Sequence, residues 1–111
     1  MRKIKVADAG ARVLDWLVAE IEGKNTFPDN AVNRPESYSF RPTTNGNNAI
    51  HIMQREFIRT NPDSPFWLAE IVSDDGDKVS GVGPTIPVAA MRCFVKFKRG
   101  DVVEVPEELL C

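Results

Sequence analysis

The sequence predicts an α+β fold in which about three helices pack against a small antiparallel sheet of two or three strands, arranged like an α-β-β-α sandwich. Two stretches with helical periodicity, residues 8–23 and 83–100, flank short strand-like runs that turn formers separate. The chain has 111 residues, of which 42% are hydrophobic and 27% are charged, as in folded soluble proteins. We therefore expect a single domain over residues 1–111 with one core.

A short edge strand or an ordered extended arm is expected at the start of the chain, followed by an amphipathic helix. Ile4 and Val6 alternate with lysines, which is typical of a half-buried strand. Asp8 is a suitable N-cap for a helix that ends at Gly23. This helix is predicted to have an apolar face of Leu14, Leu17, Val18 and Ile21 and a polar face of Arg12, Asp15, Ala19 and Glu22.

Trp16 is out of phase with that helix. A step of 100° per residue places it roughly 160° from the middle of the apolar face, so another segment should cover it. The following loop, residues 24–48, carries three prolines and eight Asn, Asp or Gly residues and has no periodic pattern. We expect its aromatic residues Phe27, Tyr38 and Phe40 to pack around Trp16.

The middle of the chain predicts a short helix and a hairpin. Residues 45–54 form the helix, and residues 55–60 and 66–72 form two strands joined by the turn formers of residues 61–65. Asp75-Gly76 predicts a second turn, after which residues 78–82 add a third strand. The shared helix face is expected to hold Ala49, Ile50, Met53 and Phe57, and the second strand to alternate Trp67, Ala69 and Ile71 with Phe66, Leu68, Glu70 and Val72.

The most apolar helix of the chain follows and is expected to be its central element. Thr85 is its predicted N-cap, Pro87 lies in its first turn and Gly100 ends it. One ridge holds Ile86, Ala90, Cys93, Phe94 and Phe97, and a second holds Val88, Met91 and Val95. Two ridges need cover on two sides, which a homodimer through residues 86–98 would provide. The alternative is that the valines of the extended tail, residues 100–111, fold back over the second ridge.

Side chains capable of chemistry form no recognisable catalytic or metal-binding motif. The single histidine, His51, has no Ser or Cys partner at a motif spacing. Cys93 lies on an apolar ridge, and with Cys111 it makes neither a zinc nor a CxxC spacing. The aspartates of residues 74–77 lack the order of a calcium loop. We therefore expect no metal, no cofactor and a non-enzymatic role.

Two further groups have both a functional and a structural explanation. Gly81 and Gly83 precede a helix as in phosphate-binding loops, but a third glycine and a P-loop lysine are missing, and helix capping explains them as well. Lys96, Lys98 and Arg99 suit an acidic partner, although the negative end of the helix dipole accounts for their position.

Net charge and hydropathy argue against two classes of partner, nucleic acids and membranes. The net charge is −2 and the sequence pI is near 5.4, which disfavours nucleic acid because no general basic field is available. No apolar run approaches the ~20 residues that cross a bilayer, and residues 1–6 lack the pattern of a signal peptide. A cytoplasmic location without membrane contact is expected.

The candidate binding site is a groove beside the first helix. Grooves with aromatic walls and a few polar groups are the usual form of ligand sites, and hydroxyl groups at the end of the loop would form its rim. The alternative is that the loop buries Trp16 in a satellite core, which would make the position structural. The residues assigned to the groove are Asp15, Trp16, Tyr38, Pro42, Thr43 and Thr44.

Several blocks together resemble the NinX-type family of small phage and prophage proteins. They are Leu14–Ala19, Pro42-Thr43-Thr44, Trp67-x-Ala69, Gly83-Pro84-Thr85-x-Pro87, Ala89–Val95 and Gly100-Asp101-x-Val103-x-Val105-Pro106. The pattern is also similar to phage proteins with an α-β-α sandwich. One departure is that Asn45-Gly46-Asn47 stands where such relatives carry an acidic residue and a tryptophan.

This resemblance implies an accessory protein encoded by a phage or prophage and acting in the bacterial cytoplasm. With no catalytic motif in the chain, we expect it to bind a host protein or a small ligand. The alternative is a small-molecule enzyme or sequestering protein that uses a pocket between residues 24–48 and Trp16. Specific nucleic-acid binding ranks third.

Overall fold

A computed structural model of the chain describes residues 2–23, 41–44 and 46–110. Their helices are α1 (Ala11–Ile21), α2 (Gly46–Arg55) and α3 (Ile86–Arg99), and their strands are β1 (Arg2–Lys5), β2 (Arg59–Asp63), β3 (Phe66–Val72), β4 (Lys78–Gly83) and β5 (Val102–Val105). Short 3-10 helices follow β1 at Val6–Asp8 and β5 at Glu107–Leu110. The predicted α+β class is confirmed: the described residues form three helices and two small antiparallel sheets.

Helix α3 is the central element of the core, as predicted. It contacts β3 and β4 of the larger sheet and also α1 and α2. Ala90 and Phe94 on its first ridge have no exposed surface, and Met91 and Val95 on its second ridge are equally buried. The chain itself therefore covers the middle of both ridges, whereas Ile86, Val88 and Phe97 are partly buried. A homodimer through residues 86–98 stays a prediction.

Two glycines of β4 allow α3 to approach the sheet closely. A Cβ atom on Gly81 would lie 2.5 Å from the backbone nitrogen of Cys93 and 2.8 Å from the carbonyl oxygen of Ala89. A Cβ atom on Gly83 would lie 2.7 Å from Cγ1 of Val88. Close packing of strand against helix thus explains both glycines, which lie in a strand rather than in a phosphate-binding loop or a helix cap.

Both ends of α3 lie where its capping residues predict. The N–H of Val88 donates to Oγ1 of Thr85 at 3.3 Å, which makes Thr85 the N-cap. Gly100 ends the helix with a φ of 87°, a conformation that favours glycine. The basic residues Lys96, Lys98 and Arg99 occupy the last turn, near the carbonyl end of the helix.

The start of α1 differs from the prediction. Asp8 is not its N-cap, because residues 6–8 form a 3-10 helix and Gly10 is the residue before α1. The N–H of Val6 donates to the carbonyl oxygen of Asp101 at 2.9 Å, and the Val6 side chain is fully buried. This contact with a distant part of the chain fixes residues 6–8 separately from the helix.

Two predicted helix faces are also corrected. Ala19, assigned to the polar side of α1, is fully buried, so α1 is covered over a wider arc than its apolar residues indicate. In α2, Ile52 is buried together with Ala49, whereas Ile50 is 49% exposed and Phe57, beyond the helix, is 84% exposed. The buried face of α2 is therefore rotated away from the predicted one.

The larger sheet has the order β2-β3-β4 with antiparallel neighbours, which confirms the predicted third strand. Strand β2 starts later than predicted because α2 continues to Arg55 and a turn follows it, and β2 extends through residues 61–63, which were predicted as part of a turn. The predicted alternation in β3 is confirmed, since Ala69 and Ile71 are buried while Phe66 and Val72 are about half exposed. One face of this sheet lies on α3, and the other carries the exposed residues.

The extended valine segment predicted after Gly100 is strand β5. Strand β5 pairs with β1 in an antiparallel two-stranded sheet, with Val105 opposite Arg2. Val103 and Val105 of this strand are buried. The edge-strand prediction for the start of the chain is confirmed, and a short 3-10 helix at Glu107–Leu110 follows β5.

An ionic network joins the C-terminal ends of the three helices. Arg55 donates to both carboxylate oxygens of Glu22 at 2.7 and 2.8 Å and to Glu56 at 2.9 Å, and the ammonium of Lys98 lies 3.4 Å from Glu56. The hydrogen bonds that Arg55 donates to Glu22 and Glu56 raise the pKa of Arg55. Burial raises the pKa of Glu56, but its contacts with Arg55 and Lys98 outweigh burial and lower it. The helix ends are thus cross-linked at the surface.

Candidate functional site

Two of the predicted site residues, Asp15 and Thr43, bind each other. The backbone N–H of Thr43 donates to Oδ1 of Asp15 at 2.9 Å, and the Thr43 hydroxyl lies 3.0 Å from Oδ2 and donates to it. Pro42 and Thr43 are buried, whereas Thr44 is exposed. Because Thr43 occupies both carboxylate oxygens, Asp15 acts as an anchor that fixes this segment on α1.

The turn formed by residues 41–44 is also anchored to α2. The N–H of Arg41 donates to Oδ1 of Asn48 at 2.9 Å. Within the turn, the N–H of Thr44 donates to the carbonyl oxygen of Arg41 at 3.0 Å. The turn therefore bridges α1 and α2 by side-chain to backbone hydrogen bonds.

The predicted loop of residues 24–48 ends earlier than expected, because α2 begins at Gly46. Residues 24–40, and with them Tyr38 of the predicted site and the expected packing of Phe27 and Phe40, lie outside the described residues. The contacts predicted between those aromatic residues and Trp16 stay predictions.

We predict that Asp15 and Thr43 are energetically coupled. Asp15→Asn should lower the free energy of unfolding by about 1 to 3 kcal/mol, because a charged acceptor of two hydrogen bonds is lost. Thr43→Val should lower it by about 1 to 2 kcal/mol, since a buried hydroxyl is removed. In urea unfolding of the two variants and the double variant, we expect a coupling of about 1 kcal/mol; strictly additive losses would contradict the contact.

Trp16 lines a cavity of about 370 Å³ whose lining does not include Pro42, Thr43 or Thr44. Its indole is partly buried and packs against the core. The cavity is bounded by α1, the end of α3 and β5, through Trp16, Leu17, Glu20, Arg99, Val102, Val103 and Glu104. The described structure therefore separates the predicted site into an Asp15–Thr43 anchor and a Trp16 cavity.

Groups capable of nucleophilic or metal chemistry are dispersed. His51 is exposed, and burial raises the pKa of the Cys93 thiol to about 11, which keeps it protonated at neutral pH. Within residues 2–23, 41–44 and 46–110, no three His, Cys, Asp or Glu side chains are placed to hold a metal ion. The same residues include no helix that is both long and apolar enough to cross a membrane.

Phe57 has an unusual conformation at the end of α2. Its φ is 55°, in the left-handed region that favours glycine. The N–H of Ile58 donates to the carbonyl oxygen of Met53 at 2.9 Å, and the N–H of Phe57 donates to the carbonyl oxygen of Gln54 at 3.4 Å. These are the two hydrogen bonds of a Schellman motif, in which Phe57 takes the position that glycine usually occupies.

An apolar cleft of about 420 Å³ lies beside Phe57. Phe57 itself is 84% exposed, more than any other large apolar residue in the described part of the chain. Arg59 is the ionic group of the cleft, which Ile50, Met53, Gln54, Phe57, Ile58 and Arg59 line. We call this surface, defined by those six residues, the Phe57 patch.

A family model described as that of bacteriophage P22 NinX matches residues 5–98. The chain belongs to the NinX family. The match confirms the resemblance seen in the sequence and indicates a phage accessory protein; it includes Asp15, Trp16 and Phe57. A search of curated proteins gave no match to the chain.

The sequence of this NinX-family protein contains a signal for Phe57 that helical spacing did not reveal. Spacing from Met53 placed Phe57 on a buried helix face, whereas the helix ends at Arg55. Residues 55–60 contain neither glycine nor asparagine, the usual residues at a left-handed helix end. A helix that ends within this segment, just before a strand, must therefore place a residue other than glycine or asparagine in the left-handed conformation.

Proposed function

We propose that this NinX-family protein is a non-enzymatic phage accessory protein that binds a host protein through the Phe57 patch. The observation that carries the proposal is the combination of conformation and exposure at Phe57. A residue other than glycine in the left-handed region costs roughly 1 to 2 kcal/mol. Because the Phe57 ring is mostly exposed in the free protein, its burial offsets little of this cost. Such strain at an exposed position is typical of functional sites.

The composition of the patch fits a protein partner. Aromatic residues and Met are enriched in the cores of protein interfaces, and a few aromatic anchors usually carry most of the binding energy. Phe57 would pack against an apolar side chain of the partner that enters the cleft beside Met53 and Ile58. Arg59 at the patch would pair with a carboxylate of the partner.

The test compares Phe57→Gly with wild type in recovery of proteins from a lysate of the host bacterium. Glycine suits the left-handed conformation, so this variant removes the ring without disturbing the helix end. A protein recovered by the wild type should be lost with Phe57→Gly. After purification, its affinity for the variant should fall by about tenfold or more.

The matched control is Val102→Ala, which alters a half-exposed apolar residue of β5, in the two-stranded sheet and outside the lining of the Phe57 patch. This variant should bind the purified partner within about twofold of wild type. Equal affinity of wild type and Phe57→Gly for every recovered protein would contradict the proposal.

A second candidate function is the binding of a small ligand in the Trp16 cavity. It is supported by the cavity's volume of about 370 Å³ and by its mixture of an indole ring with Arg99 and Glu104. On this account the wild type should retain a small molecule in native mass spectrometry, and Trp16→Ala should release it. A Trp16→Ala variant with the same bound mass and the same urea midpoint would exclude this candidate.

A further inference from the structure

Of the two outer strands of the larger sheet, one contains a proline and the other does not. In the order β2-β3-β4, the outer strands are β2 and β4. Strand β2 contains Pro62, which has no N–H to offer another strand. Strand β4, residues 78–83, contains no proline. Natural sheets usually protect their edges, so an edge without such protection is a position at which another strand can pair.

A hydrogen bond from Arg92 shows which residues of β4 face this edge. Nη1 of Arg92 donates to the carbonyl oxygen of Val82 at 2.8 Å, and Val82 lies opposite Leu68 of β3. Residues of an antiparallel pair alternate between bonding to the neighbouring strand and pointing away from it. Val82 belongs to the set that points away, and so does Ser80, two residues earlier. Ser80 therefore has both its N–H and its carbonyl oxygen at the edge.

A cavity of about 360 Å³ opens beside these groups. Its lining includes residues 80–83 of β4, the half-exposed ring of Phe66, and the cations Arg92 and Lys96. Among the residues that the structure describes, none in this lining carries a carboxylate. The edge thus combines outward-facing backbone groups, an apolar contact and positive charge.

The two cations differ in their availability. Arg92 is engaged, since Nε and Nη2 donate to the carbonyl oxygen of Ala9 at 3.3 and 2.9 Å in addition to its bond with Val82. The ammonium of Lys96 lies 3.7 Å from Asp101, which is beyond hydrogen-bond distance, and Asp101 is 83% exposed. An ion pair of this kind is weak, so Lys96 is able to bind another carboxylate.

We propose that the β4 edge binds an extended acidic segment of a partner protein by strand addition. Backbone groups of that segment pair with Ser80 and with the N–H of Val82, and one of its carboxylates pairs with Lys96. An apolar side chain of the segment packs on Phe66. Main-chain hydrogen bonds give affinity in this mode, and the side-chain contacts give specificity. This surface is separate from the Phe57 patch and does not depend on the proposed function.

Nuclear magnetic resonance of the full chain with a capped peptide that alternates valine with aspartate tests the proposal. The amide signals of Ser80 and Val82 should shift on titration, and their hydrogen exchange should slow. The same peptide with lysine in place of aspartate should bind about tenfold more weakly. Signals from β2 should stay unchanged, because Pro62 blocks that edge.

Three variants make the test specific. Ser80→Pro should abolish binding while leaving the β3–β4 pairing intact, because the N–H that it removes points away from β3. Lys96→Gln should weaken binding of the acidic peptide by about five- to tenfold, and Lys5→Gln, which alters an exposed lysine of β1, should leave it unchanged. If Ser80→Pro does not fold, two other results test the proposal. They are the set of amide signals that shift in the wild type and the loss of peptide affinity in Lys96→Gln.

Several outcomes would overturn the proposal. They are no amide shift at millimolar peptide, shifts confined to residues outside β4, and equal affinity for the acidic and basic peptides. Phe57→Gly should bind the acidic peptide as the wild type does. A failure of the Phe57 proposal and a failure of the β4 proposal are therefore distinguishable.

Discussion

Phe94→Ala should lower the free energy of unfolding by about 3 to 5 kcal/mol, because it leaves a cavity in the middle of the core. Phe94 is fully buried on α3, the helix that packs against both the larger sheet and α1. Small domains have total stabilities of only about 5 to 15 kcal/mol. We therefore expect that, without urea, the variant is already largely unfolded or close to the midpoint of its unfolding transition.

Arg92→Ala is the comparison variant on the same helix. Arg92 donates hydrogen bonds to the carbonyl oxygens of Ala9 and Val82, so its removal should cost about 1 to 3 kcal/mol, less than the loss of Phe94. A lower urea midpoint for Arg92→Ala than for Phe94→Ala would contradict the register of α3.

Gly81→Ala should lower the free energy of unfolding by about 3 kcal/mol, at the upper end of the cost of overpacking a core. The new Cβ atom would lie 2.5 Å from a backbone atom of α3, and backbone atoms of a helix cannot turn aside as a side chain can. Strand β4 and α3 would have to separate. Thermal or urea unfolding measures the loss.

Gly46→Ala is the matched control for that substitution. A Cβ atom on Gly46, at the exposed start of α2, would meet no atom of the described residues within 4 Å. Its free energy of unfolding should stay unchanged or rise by up to about 1 kcal/mol, because alanine has less freedom in the unfolded chain. Equal effects of Gly81→Ala and Gly46→Ala would contradict the close approach of α3 to β4.

Much of the fold could be predicted from the sequence, because local signals determine it. Thr85 and Gly100 predicted both ends of α3, and the alternation in β3 predicted which face of that strand packs on α3. The start of α1 could not be predicted in this way. It depends on a hydrogen bond between Val6 and Asp101, which are far apart in the chain. No local pattern at Asp8 indicates that contact.

The candidate sites were less predictable than the fold. Polar character suggested Asp15 and Thr43 as rim residues of a groove, but the sequence could not show that they bind each other. Phe57 was assigned to a buried face because it lies four residues after Met53, a spacing that holds only while the helix continues. Its left-handed conformation follows from where the helix stops, which depends on packing of Ile52 and Ile58 into the core.

The central claim is that Phe57 serves binding rather than folding, and the unfolding free energy of Phe57→Gly in urea tests it most directly. The ring is mostly exposed and the backbone is in the conformation that glycine prefers. We predict that Phe57→Gly leaves the free energy of unfolding unchanged or raises it by up to about 1 kcal/mol. A loss of more than about 1 kcal/mol would show that the ring supports the fold, and would contradict the claim.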